Sequence, residues 1–255
     1  MGIRIQEDEA QEDFRQRVET SQSVAERPLY TLILLTCIAA VFGVQFLTTT
    51  DPQFILDDRF AAFYVGFDKE AFLQRHEYWR ILTATTAHLG LLHVAFNGYA
   101  LYRLGSLVEM LSNRAHVAIV FLISAIGGCV LSLIFNPDVI SVGASGGIVG
   151  LLSYLAVYAV IRRKFINRQF RNNLFFNIGF ILLYGTLLSQ QVDNWGHIGG
   201  LITGAVYAFL QVPRDEYADP KTAGEVTIVS GYAALAIYAI TCMFTAYVLI
   251  SAPKI

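Results

Sequence analysis

Seven apolar runs divide the chain: Leu29 to about Leu47, Leu91–Met110, Ala115–Phe135, Ser145–Ile161, Leu174 to about Ser189, Trp195–Val212 and Thr227–Ile250. Each approaches the roughly 20 helical residues that the hydrocarbon core of a bilayer requires. Inside a bilayer a helix pairs every backbone N–H and C=O within its own segment, which an isolated strand cannot do. The pattern therefore predicts an all-α fold, a polytopic membrane helical bundle with seven transmembrane helices. The second run is the least apolar, because it carries His93, Asn97, Arg103 and Glu109. Before it lies a connection of about forty residues, too long to be idle. Its aromatics (Phe54, Phe60, Phe63, Tyr64, Phe67, Phe72, Tyr78, Trp79) are interleaved with charges, the mixture of a segment lying in the membrane interface.

Composition agrees with this reading. The chain is 55% hydrophobic and 15% charged, with a net charge of −2, which offers no general case for nucleic acid as a partner. Cys37, Cys129 and Cys242 lie in separate apolar runs and read as small buried hydrophobes, without metal-type spacing. Residues 1–28 are polar and acidic, with Glu7-Asp8-Glu9 and Glu12-Asp13, and hold no apolar core of the kind a cleavable signal needs. Lysine and arginine in short connections set orientation. Arg162, Arg163, Lys164, Arg168 and Arg171 lie between runs four and five and Arg114 between two and three, whereas the connections three-to-four and five-to-six carry none. The expectation is a multi-pass integral protein of a plasma membrane, with the N-terminus cytoplasmic and the C-terminus external. It divides into a cytoplasmic polar segment (1–28), a six-helix core (29–212), and a cytoplasmic connection with the seventh helix (213–255).

With this orientation, four polar groups on three runs fall at one depth just below the outer surface: His93 and Asn97, Ser145, and His197. Polar side chains within spans face the bundle interior and mark function by default. Ser145 sits in Val142-Gly143-Ala144-Ser145-Gly146-Gly147-Ile148-Val149-Gly150, where glycines let other backbone approach. The start of a helix there adds unpaired N–H groups and a positive dipole end. A serine hydroxyl needs a base to become a nucleophile, and histidine is the usual one. Gly146 and Gly150, with Gly196, Gly200 and Gly204, give runs four and six small faces on which to meet. His93 and Asn97, at i and i+4, share a face and supply donors for an oxyanion.

These residues carry a resemblance. Gly143-Ala144-Ser145-Gly146, His197-Ile198-Gly199-Gly200, and His88 with His93-Val94-Ala95-Phe96-Asn97 are similar to motifs of the rhomboid intramembrane serine proteases. Trp79-Arg80 and Leu104-Gly105 with Glu109 resemble further signatures, and the seventh run resembles the form with one extra C-terminal helix. The resemblance implies Ser145 as nucleophile and His197 as general base, a dyad without a catalytic aspartate. It implies His93 and Asn97 as oxyanion donors, no cofactor or metal, and transmembrane protein substrates cut near the outer face within the lipid bilayer. The rival it leaves is an inactive relative that binds or escorts membrane clients. A soluble nucleophile elbow also reads G-x-S-x-G but needs a preceding strand. Asp193 is expected to cap the sixth helix, and Glu109 to bond near the turn at Ser112. Glu109 lies about 24 Å along its helix from His93, too far for the chemistry. His76 and His116 have no evident partners. Val149 departs from the family pattern, which has an aromatic ring one turn after the serine, stacked on the histidine.

Topology is testable on intact cells. In a protein freed of its native cysteines, cysteine at Asp138 should react with a membrane-impermeant thiol reagent and cysteine at Asn167 should not. The reverse labelling would invert the orientation.

Overall fold

A computed structural model describes residues 27–49, 58–187 and 192–253. The acidic segment and Phe54 lie outside the described residues. Among the described residues ten helices follow in order: α1 Leu29–Thr48, α2 Arg59–Val65, α3 Lys69–Gln74, α4 Arg80–Thr83, α5 Leu91–Leu111, α6 Ala115–Phe135, α7 Ser145–Ile161, α8 Arg168–Leu187, α9 Asn194–Gln211 and α10 Glu225–Ser251. Among the described residues the only bridge between extended backbones is the antiparallel pair Phe67 and Ser141. The molecule is an all-α bundle. Among the described residues three helices, α1, α6 and α10, are long and apolar enough to cross a membrane, and α7 is a shorter apolar helix.

The apolar runs match the long helices closely except at the fifth. There α8 begins at Arg168, six positions before the apolar run. Its first turns are polar yet helical. Asn167 Oδ1 accepts from the Gln169 N–H at 2.6 Å, and Gln169 Nε2 donates to Asn173 Oδ1 at 2.9 Å. Hydropathy sees only the part that sheds water, so it misses a helix that continues past the apolar stretch.

α7 is the core, buried along nearly its whole length. α9 packs on both α6 and α7, and glycines set that distance. A Cβ on Gly128 would lie 2.6 Å from Gly196 O, and one on Gly204 would lie 2.6 Å from Ser153 Oγ and 2.7 Å from the Gly150 carbonyl carbon. Each helical glycine costs about 1 kcal/mol relative to alanine, which close backbone contact offsets where lipid supplies no hydrophobic drive between helices. α8 is the loosest long helix, with only Leu174 and Gly185 buried.

The first connection folds into α2, α3 and α4. Asp58 and Asp68 cap the first two, accepting from Ala61 N–H and Ala71 N–H at 3.1 Å. Arg80, buried, donates to Phe63 O at 3.1 Å and Gly66 O at 2.8 Å, and its guanidinium lies 4.9 Å from the Trp79 ring. α10 packs on α1 and α6 and reaches this connection as well. Tyr238 OH donates to Thr85 O at 3.2 Å, and Thr86 Oγ1 donates to Thr245 Oγ1 at 3.0 Å.

Two expectations are corrected here. Glu109 does not bond at the Ser112 turn; its Oε1 accepts from Thr31 N at 2.8 Å and Thr31 Oγ1 at 2.7 Å. The reason is that α1 starts behind Pro28 with no side-chain cap, so its first-turn N–H groups need an outside acceptor. Ser112 pairs instead with Tyr154 OH at 2.8 Å. His116 does have partners: its Nδ1 is 2.9 Å from Tyr207 OH, and its ring stacks on Tyr154 with centroids 5.7 Å apart. His76 Nδ1 likewise lies 2.8 Å from Tyr78 OH.

The packing makes Gly204→Val a sharp test. Overpacking typically costs about 1–3 kcal/mol, and here the added carbons meet backbone that cannot rotate away. The variant should melt well below wild type in detergent; an unchanged melting temperature would show that α7 and α9 separate without cost.

Candidate active site

Ser145 is the first residue of α7, and His197 lies in the first turn of α9. The glycine contact between these helices brings His197 Nε2 to 3.0 Å from Ser145 Oγ. This is the separation at which an imidazole can take a hydroxyl proton. His197 Nδ1 is buried without a hydrogen-bond partner, so no third side chain among the described residues bonds to the ring.

The other side of the serine is shaped by Gly143, whose φ of +120° lies in the region that favours glycine. A Cβ there would sit 2.8 Å from His93 Cε1 and Nε2 and 3.5 Å from Asn97 Nδ2. Both α5 side chains thus lie against the backbone two residues before Ser145. His93 Nδ1 accepts from the Leu89 N–H at 3.3 Å, which assigns the ring proton to Nε2, the atom facing Gly143. Asn97 is buried, and its Nδ2 has no partner among the described residues. A buried amide donor left unpaired is costly, and this one is available to an incoming acceptor. The first-turn N–H groups of α7 add further donors, since no helical carbonyl precedes them.

All four sequence-predicted site residues therefore meet at one end of the bundle. His88 stands behind them, fully buried, its ring centroid 5.0 Å from that of His93. Asp193 caps α9, accepting from the Gly196 N–H at 3.0 Å, and is bonded to Ser132, Ser141 and Asn136. Burial pushes the Asp193 carboxyl up, but the bonds from Ser132, Ser141 and Gly196 and the charge of Lys69 outweigh it and hold the group below its ordinary value. Sequence reasoning missed the clamp on the loop that delivers Ser145. Gly143 N–H donates to Ala84 O at 2.8 Å, and Phe67 and Ser141 exchange backbone bonds at 2.8 and 3.3 Å. The only sequence signal for it was the unusual length of the first connection.

A sequence model of the Rhomboid domain matches residues 75–214, more than half of the 255-residue chain. The chain belongs to the rhomboid family. It is 37% identical over 139 residues to the rhomboid protease GluP of Bacillus subtilis (strain 168), covering 54% of this chain and 27% of that protein. It is 33% identical over 153 residues to RHOMBOID-like protein 2 of Arabidopsis thaliana, covering 57% of this chain and 46% of that one. The putative rhomboid protease YdcA of Bacillus subtilis (strain 168) is 26% identical over 141 residues, covering 55% of this chain and 70% of the relative. Relative to GluP and the plant protein, this chain matches about a quarter and about a half of their length. The rhomboid match contains Ser145, His197, His93 and Asn97, and it excludes α1, α2, α3 and α10. Family and apolar helices together make this a multi-pass integral membrane protein.

Val149 is buried one turn after Ser145, its Cγ2 2.9 Å from where a Cβ on Gly200 would stand. Among the described residues no ring pair involving His197 is formed that could take the place of the family's aromatic. Gly200 presents no side chain one turn beyond the histidine. Val149→Tyr should lay a ring against the imidazole, worth roughly 0.5–1.5 kcal/mol. The expected outcome is a folded protein whose serine reacts with a fluorophosphonate severalfold faster. A folded variant with an inert serine would show that the ring displaces His197.

Proposed function

We propose that the chain is an intramembrane serine endopeptidase acting through a Ser145–His197 dyad. The observation that carries this reading is the 3.0 Å contact between Ser145 Oγ and His197 Nε2, set beside the buried Asn97 amide, whose Nδ2 has no partner among the described residues. Ser145 Oγ attacks the scissile carbonyl as its proton passes to His197 Nε2. The carbonyl oxygen, now negative, is held by the Ser145 N–H, the His93 Nε2–H and the Asn97 amide. Collapse of the intermediate expels the amine, which takes the proton from His197. Water then enters, gives a proton to the same nitrogen as its oxygen adds to the acyl carbon, and the acid leaves as Ser145 Oγ takes that proton back from His197. A preorganised set of donors is the largest electrostatic contribution in reactions of this kind.

In this reading seven helices span the membrane, with a core over 29–212 and the extra helix within 213–255. The basic connection around Arg162-Arg163-Lys164 faces the cytoplasm and the dyad faces outward. The substrates are then transmembrane segments of other proteins, entering from the bilayer and cut near its outer face. No cofactor or metal takes part in the proposed steps.

A fluorophosphonate probe on detergent-purified protein separates this reading from a client-binding relative, since only an activated serine reacts. Ser145→Ala and His197→Ala should each abolish cleavage of a reporter transmembrane substrate while leaving the fold intact. Asn97→Ala should lower the rate by about 2.7–4 kcal/mol of barrier if its bond is fully used. An undiminished rate in Ser145→Ala would end the protease reading.

A further inference from the structure

One cluster of charge, buried at Lys69 and half-buried at Asp193, plays no part in the steps above. Lys69, at the start of α3, is 2% exposed and outside the stretch matched by the family. Its Nζ donates to Ser141 Oγ at 2.6 Å and to Val139 O. Ser141 Oγ in turn donates to the Asp193 carboxylate. Ser132 Oγ donates to the same group and lies 3.1 Å from Ser141 Oγ, and Asn136 Nδ2 donates at 3.3 Å. The result is a lysine and an aspartate bridged by one hydroxyl, gathering four parts of the chain: the first connection, the end of α6, the α6–α7 loop and the start of α9.

Its place relative to the dyad is what gives it meaning. Ser141 stands four residues before Ser145, and Asp193 four residues before His197. Burying a lysine and a carboxylate is costly unless each finds partners, and removing one member strands the other. A chain needing only an α9 cap would have used the Gly196 N–H bond alone. We propose that Lys69, acting through Ser141 and Asp193, is a positioning residue that fixes the separation of Ser145 and His197. Lys69 touches neither of them; it holds the two loops that deliver them. The inference rests on the proteolytic reading, because its consequence is a rate. A misplacement of about 1 Å between reacting groups can cost on the order of a hundredfold.

The test uses full-length protein, the reporter substrate and the fluorophosphonate probe. Lys69→Met should lower kcat about ten- to a hundredfold with KM unchanged, and slow serine labelling in proportion. Asp193→Asn keeps an oxygen for the Gly196 cap but removes the charge, and should show the same split. The double variant Lys69→Met with Asp193→Asn should be less impaired than the product of the single losses, since neither charge is left stranded. Ser141→Ala deletes only the bridging hydroxyl and should lower kcat severalfold; it carries the test if Lys69→Met does not fold. Folded variants with wild-type kcat, or single losses that multiply in the double variant, would overturn the assignment. Wild-type protein inert to both probe and reporter would sink the proteolytic reading and this inference with it. A reactive wild type with indifferent variants would sink this inference alone.

Discussion

Close backbone contact of α9 with α6 and α7 is the constraint on which the rest of the structure depends. Lipid is as apolar as a leucine side chain, so helices in a bilayer gain little by hiding hydrophobic surface from it. What holds them is dispersion at short range and polar bonds, and both require small residues at the crossing. Gly128 against Gly196, and Gly146 and Gly150 against Gly200 and Gly204, meet that requirement. The same contact carries the first turn of α9 to the first turn of α7, and so places His197 Nε2 at Ser145 Oγ. The proposed catalytic contact is thus a by-product of how the core is packed.

Around this core the chain uses polar bonds to pin what hydrophobicity leaves undetermined. Glu109 supplies the missing cap of α1. Arg80 gathers the carbonyls of Phe63 and Gly66, and Asp193 ties the start of α9 to the α6–α7 loop. Each bond joins elements distant in sequence, and each lies toward an end of the bundle, where chain direction reverses. α10 contributes in the same way through Tyr238 and Thr245, which bond the segment whose Ala84 carbonyl accepts from Gly143.

The proposed site divides its labour by element. α7 offers a nucleophile and a helix N-terminus, α9 offers a base, and α5 offers two donors, His93 and Asn97. Asn97 Nδ2 stays unpaired in the described chain, a cost that a globular core would normally avoid and that a site awaiting an oxyanion explains.

The sequence alone determined the local features. The apolar runs located the long helices, apart from the polar start of α8, because a helix in a bilayer demands length, apolarity and internal backbone bonding, all readable from neighbouring residues. That Ser145, His197, His93 and Asn97 come together was legible because polar groups inside apolar runs stand out. Tertiary structure alone decided which polar group answers which. Nothing local sends Glu109 to Thr31 instead of the adjacent turn, or gives His116 its bond to Tyr207. The positive φ of Gly143 and the bond from Lys69 through Ser141 to Asp193 were equally hidden. Hydropathy and periodicity report how one segment meets its surroundings. The pairing of buried polar groups depends on the path of the connections between segments, and only the folded chain sets that path.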